Sequence, residues 1–151
     1  MILNRQREVR VAKRPLESFL RRVKRDLGVG KSDLRVCLMS DAEIARLNQD
    51  FRKKSGPTDV LSFPTVALGS TRLSRRRLPA KNAGAPKDLG DIAIAPATAR
   101  RYAKKQGRDV ASELRVLILH GVLHLLGFDH ETDNGEMDTI ERKLRKRLGL
   151  S

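Results

Sequence analysis

Thiol chemistry has little to work with here, because Cys37 is the only cysteine in 151 residues. An intrachain disulfide is excluded, and the expected setting is a reducing, cytoplasmic one. Tryptophan is absent and the aromatics amount to one Tyr and four Phe. Sequence-selective base stacking is therefore not expected as the main recognition mode. Long apolar runs are missing too. The longest, Val116 to Phe128, is interrupted by two histidines and is too short to cross a bilayer. At the start, Met1-Ile2-Leu3 gives way at once to Asn4, Arg5 and Arg7, unlike the apolar region of a signal peptide. These features lead us to expect a soluble, non-membrane protein. Acidic residues are scarce: 18 Asp and Glu face 32 Lys and Arg, for a formal net charge of +14. Such a field draws in polyanions, of which nucleic acid is the commonest in a cytoplasm. Anionic membrane fits less well, since no helix pairs a basic face with bulky aromatics. The bland alternative is a general Arg-rich bias of the source organism.

What is present is enough for one domain, with 39% hydrophobic residues. Arg7–Ala12 alternates polar and apolar residues and reads as an opening strand. Pro15 suits the first turn of a helix with Leu16, Phe19, Leu20, Val23 and Leu27 inward and Gly28 at its end. Leu34–Met39 reads as a strand. Ser40 and Glu43 form a capping box for a helix that buries Ile44, Leu47 and Phe51. Strands follow at Val60–Phe63 and Asp91–Ala95, then a helix from Pro96 to near Gly107. A longer helix starts at Asp109, and a last one runs from about Asp133 to Leu148 with Met137, Ile140, Leu144 and Leu148 inward. The order predicts an α+β (mixed α/β) domain, a small mixed four-stranded sheet covered by about five helices, with the chemistry at the end of the long helix. The low-complexity stretch 69–87 reads as a mobile basic loop within this single domain.

All three histidines fall in one short segment, His120-Gly-Val-Leu-His124-Leu-Leu-Gly127-Phe-Asp-His130. Residues four apart share a helix face, so His120 and His124 can reach one ion, and a turn at Gly127 can bring His130 to its third corner. A lone histidine on an apolar helix is ordinarily a satisfied core residue; three at this spacing are hard to assign to chance. Three imidazoles favour one zinc ion, although nickel, copper or iron can take the same nitrogens. Three ligands leave a tetrahedral position for water, the catalytic pattern, whereas a structural site would close with a fourth ligand. The spacing echoes the zinc-peptidase motif H-E-x-x-H, but Gly121 stands where the general-base glutamate belongs, which makes a peptidase the weaker reading.

The segment His120–His130 resembles the signature of the YbeY family of bacterial single-strand endoribonucleases and rRNA maturation factors. Phe51-Arg52 through Pro57-Thr58-Asp59-Val60-Leu61-Ser62-Phe63-Pro64 is similar to that family's second block, and Leu89-Gly90-Asp91-Ile92-Ala93-Ile94 to its third. Order and spacing match over nearly the whole chain. The resemblance implies a zinc-dependent RNase of 16S rRNA 3′-end maturation and ribosome quality control, with single-stranded RNA and the ribosome or its small subunit as partners. Two departures stand out: Phe128 replaces the family's usual tyrosine, and the stretch 69–87 is longer and more basic than expected.

Phosphoryl transfer needs positive charge against the developing oxyanion. Arg52, matching the family's functional arginine, is the candidate beside the catalytic His120, His124 and His130; the alternative is a solvated arginine at a helix end. Asp129 can orient a ligand histidine or cap the turn. Asp91 can do the same or serve structurally, the reading we prefer. Arg72, Arg75, Arg76, Arg77, Lys81 and Lys87 can hold RNA phosphates, or form a solvated loop. The basic residues from Arg142 to Arg147 read as the exposed side of the last helix. The alternative function is a ribosome-associated assembly factor whose zinc site is mainly structural. Oligomeric state is not legible.

Overall fold

Strand order places the longest helix across the middle of the molecule. The computed structural model describes residues 1–65, 87–128 and 135–150. The elements run β1 (Ile2–Asn4), α1 (Lys13–Asp26), β2 (Asp33–Leu38), α2 (Asp41–Arg52), β3 (Val60–Pro64), β4 (Asp88–Ile94), α3 (Pro96–Lys105), α4 (Val110–Leu125) and α5 (Glu136–Arg147). The four strands form one mixed sheet in the order β1-β2-β4-β3. β1, β2 and β4 are mutually parallel, and β3 returns antiparallel along β4, with Ser62 opposite Ile92. This is the mixed α+β architecture expected from the sequence.

Local signals explain most boundaries. Ser40 Oγ accepts the Glu43 N–H at 3.2 Å and starts α2, as the capping box requires. Asp109 caps α4 through the Ser112 N–H at 2.7 Å. α4 ends in two turn-closing bonds, Gly127 N–H to the His124 carbonyl (2.9 Å) and Phe128 N–H to the Leu123 carbonyl (3.1 Å). That pattern needs a left-handed residue between them, and Gly127 supplies it at φ +97°.

The opening strand is a correction. Arg7–Ala12 is not a strand; the pairing segment is Ile2–Asn4, beside Val36 to Leu38. The buried side-chain amide of Gln6 donates to the Val9 carbonyl and accepts the Val9 N–H, both at 2.9 Å. It thus supplies the bonds a neighbouring strand would have made. Phe51 is the second correction: it is 66% exposed, while Ile44 alone of the expected inward trio is fully buried. α2 reaches its last turn beside β3, where Phe63 is the aromatic partner. The stretch 69–86 lies outside the described residues, as do Asp129 and His130.

The main core joins α1, α4 and α5 to one sheet face through Leu20, Val36, Ile92, Ile118, Val122 and Leu144. A smaller cluster under α2 holds Met39, Ile44, Leu61, Ala93 and Ala95 on the other face. α4 is apolar nearly all round because it is wrapped nearly all round, against α1, α3, α5, β3 and β4. Its approach to the sheet is close at Gly121, where a Cβ would stand 2.9 Å from two Ile92 side-chain carbons. The glycine is there for the strand.

Candidate metal centre

A helix buried on most sides keeps little exposure, and past its first turns on α4 the partly exposed residues are Val116, His120 and His124, each four residues from the next. The spacing stacks the two imidazoles on one edge of the helix. Their Nε2 atoms stand 3.0 Å apart, with ring centroids 4.5 Å apart and planes at 72°. Two nitrogens sharing a tetrahedral cation at about 2.0–2.1 Å each would lie roughly 3.3 Å apart. The pair therefore stands within a few tenths of an ångström of chelating distance.

The far side of His120 is also held. Its Nδ1 meets Glu141 Oε1 of α5 at 3.0 Å, and the Glu141 side chain is only 14% exposed. A carboxylate accepts but does not donate, so it keeps the imidazole proton on Nδ1 and turns the Nε2 lone pair toward His124. Arg145, one turn further along α5, approaches the other Glu141 oxygen at 4.0 Å. Arg145 is thus partly buried, unlike the neighbours with which it was grouped on the exposed side of this helix. Sequence reasoning missed Glu141, although a signal was present. It lies four residues after Met137 and three before Leu144, on the inward face, where an unpartnered acid would be costly.

β3 runs along the other flank of α4. Ser62 Oγ reaches the Gly121 carbonyl at 3.5 Å. Asp59 leads into the strand, and its carbonyl accepts the Ala95 N–H at 2.9 Å. Burial pushes the Asp59 carboxyl above the usual carboxylate range, opposed by its own and the Val60 backbone N–H, by the nearby His120 and by the Thr58 hydroxyl. The turn before it is tied to α2, because Asn48 donates to the Gly56 carbonyl at 3.0 Å. Asn48 is itself buried, and its Oδ1 has no hydrogen-bond partner among the described residues. Arg52 is the last residue of α2 and is exposed, at the start of this same turn.

Other candidates lie elsewhere. Asp91 pairs with Arg35, which also bridges to Asp88 at 3.0 Å. Together these two carboxylates hold the Arg35 guanidinium above its ordinary pKa. Asp91 therefore has a structural partner across the β2–β4 ladder. Cys37 belongs to the α2-side cluster, on the sheet face opposite α4. Lys87 is exposed, and its carbonyl accepts the Asp33 N–H at 2.7 Å. Arg72, Arg75, Arg76, Arg77 and Lys81, like Asp129 and His130, lie outside the described residues. Among the described residues no third His, Cys, Asp or Glu joins the histidine pair as a metal-binding group. Phe128 is buried in the main core, where a phenyl ring needs no hydrogen-bond partner.

Comparison with known proteins identifies the family. A family model described as endoribonuclease YbeY matches residues 1–149. The endoribonuclease YbeY of Solibacter usitatus is 41% identical over 135 residues, covering 89% of this chain and 78% of that protein. That of Koribacter versatilis is 39% identical over 150 residues, covering 99% and 86%. Among solved structures, the solution structure of TM1509 from Thermotoga maritima aligns at a TM-score of 0.60 with 26% identity, over 98% of this chain and 89% of that one.

Proposed function

Because the chain belongs to the endoribonuclease YbeY family, we propose that it cleaves phosphodiester bonds of single-stranded RNA at a zinc ion held by His120, His124 and His130. The process it serves, on this reading, is 16S rRNA 3′-end maturation and ribosome quality control in the cytoplasm, with the small ribosomal subunit as partner. The carrying observation is the pair of Nε2 atoms 3.0 Å apart, one of them aimed by Glu141. Two imidazoles with converging lone pairs repel each other unless a proton or a cation lies between them. A borderline-soft ion such as zinc suits nitrogen donors of this kind.

The chain's own contributions can then be assigned. His120 and His124 would present their Nε2 atoms to the ion from a helix packed against α1, α3, α5, β3 and β4. Glu141 holds the His120 proton at Nδ1, and so fixes which nitrogen faces the ion. Arg52 offers a planar fork of donors to phosphate oxygens and opposes the negative charge that builds as the P–O bond breaks. Zinc, when bound, would supply Lewis-acid polarisation of a phosphoryl oxygen or acidify a coordinated water. The basic excess raises the encounter rate with RNA and makes binding salt-dependent.

A peptidase remains the weaker reading for a reason of packing as well as chemistry. Position 121, where a zinc peptidase carries its glutamate, faces Ile92 with no room for even a Cβ. Among the described residues no helix is long and apolar enough to cross a membrane.

The test is cleavage of a single-stranded RNA by zinc-loaded protein, with metal content measured alongside. His124→Ala should lose both cleavage and stoichiometric zinc, and Cys37→Ser should keep both. Unchanged cleavage in His124→Ala would refute the assignment. Tight ribosome binding without any turnover would favour an assembly factor instead.

A further inference from the structure

Phe51 is the most exposed large hydrophobic residue of the described chain, at 66%, in a protein with few aromatics to spare. Its ring is braced: Phe63 of β3 meets it edge-to-face, with centroids 5.3 Å apart and planes at 70°. An edge-to-face contact fixes a ring while leaving much of its surface open. The three residues that follow, Arg52, Lys53 and Lys54, are exposed cations, against one neighbouring exposed acid, Asp50. Lys53 is further fixed as the left-handed cap of α2 at φ 56°, and its Nζ reaches the Asp50 carbonyl at 3.2 Å. The same α2 end is tied through Asn48 and Gly56 to the turn that sets Asp59 near His120.

We infer that Phe51 is a stacking platform for one unpaired nucleobase of the RNA substrate, with Arg52 to Lys54 receiving the adjoining phosphates. This rests on the RNA-cleaving function proposed above and adds a base-binding subsite to it. A braced aromatic ring beside a short basic run is how proteins hold single strands without reading sequence, because every base offers a flat face. Such a subsite demands an unpaired base, since a base stacked within a duplex has no free face to offer. It would contribute to single-strand preference without contributing sequence selectivity.

The test uses the full-length protein and a fluorescein-labelled single-stranded 2′-O-methyl oligoadenylate, read by anisotropy over a range of salt concentrations. A second probe has the same backbone but abasic sites throughout. Phe51→Ala should weaken oligoadenylate binding about five- to a hundredfold. It should leave the abasic probe and the salt dependence unchanged, because the ring neutralises no phosphate. Phe51→Trp should restore binding. Equal oligoadenylate affinity in wild type and Phe51→Ala overturns the inference while leaving the RNA-cleaving function intact. Equal loss on both probes also overturns it, by showing that the ring acts through the fold. A change from dimer to monomer in sedimentation, with RNA binding unchanged, would reassign the ring to self-association. Failure of the wild-type protein to bind either probe, or to cleave single-stranded RNA, would instead count against the underlying function.

Discussion

The two faces of the sheet are packed very differently. On one, α4 is enclosed by α1, α3, α5 and the strands, and residues such as Ile118, Leu119, Val122 and Leu123 are completely buried. On the other, α2 covers a small cluster and its last turn leaves Phe51 and Arg52 in solvent. The chemistry divides along the same line. The imidazoles, which must hold a fixed geometry, stand on the helix that packing immobilises, and a carboxylate from a second helix aims one of them. The groups suited to gripping a flexible, variable polymer stand at the exposed end of α2, which the Gly56 turn joins to β3 beside the histidine helix. Rigid support for an ion and an open surface for a strand are different physical demands, and they are met on different elements, joined through the Gly56 turn and β3.

That division can be broken residue by residue. Among changes that leave the metal ligands in place, the largest effect is expected from Arg52→Ala, about a hundredfold in kcat/KM, in line with losing a donor to a developing oxyanion. Its zinc content and melting temperature should match wild type. A fall in zinc content would show that the two elements are not separable. Next comes Glu141→Gln, for which zinc competition against a chelating dye should report about ten- to a hundredfold weaker affinity. Glutamine can still accept a hydrogen bond but carries no charge, so unchanged affinity would demote Glu141 to a packing residue.

Gly121→Ala sharpens the packing side of the comparison. Its added methyl would stand 2.9 Å from Ile92, a side chain with no exposure. Overpacking of this kind costs about 1–3 kcal/mol. Denaturant unfolding should show that loss, and should show a smaller one, about 0.5–1 kcal/mol, for Phe51→Ala, which gives up its edge-to-face contact with Phe63.

The smallest effect concerns pH. The Ser112 N–H holds the Asp109 carboxyl below its ordinary value of 3.8. A depressed carboxylate stabilises the fold above the unfolded pKa, and that contribution is lost as pH falls through the folded value. Asp109→Asn keeps a good cap but cannot titrate. Its melting temperature should lie slightly below wild type at neutral pH, and the gap should close in acid.

Local chemistry made much of this legible in the sequence. Ser40 with Glu43, Asp109 and Gly127 each satisfy backbone groups within a few residues, so their roles can be read without knowing what packs nearby. The His120–His124 pairing follows from helical periodicity in the same way. Misreadings arose where a distant partner decides. Arg7–Ala12 has the alternation of a strand, but Ile2–Asn4 has the neighbour, and Gln6 closes the backbone bonds in between. Phe51 keeps the spacing of an inward residue, yet inwardness depends on how much sheet lies beneath the last helical turn. Glu141 looked like one more charge in a charged helix until α5 was seen against α4.

The most direct measurement is zinc K-edge X-ray absorption on the zinc-loaded protein. The expected first shell is three imidazole nitrogens at about 2.0–2.1 Å with one oxygen completing it. A sulfur neighbour near 2.3 Å, or a shell without the scattering pattern of imidazole rings, would contradict the convergence of His120, His124 and His130 on one ion.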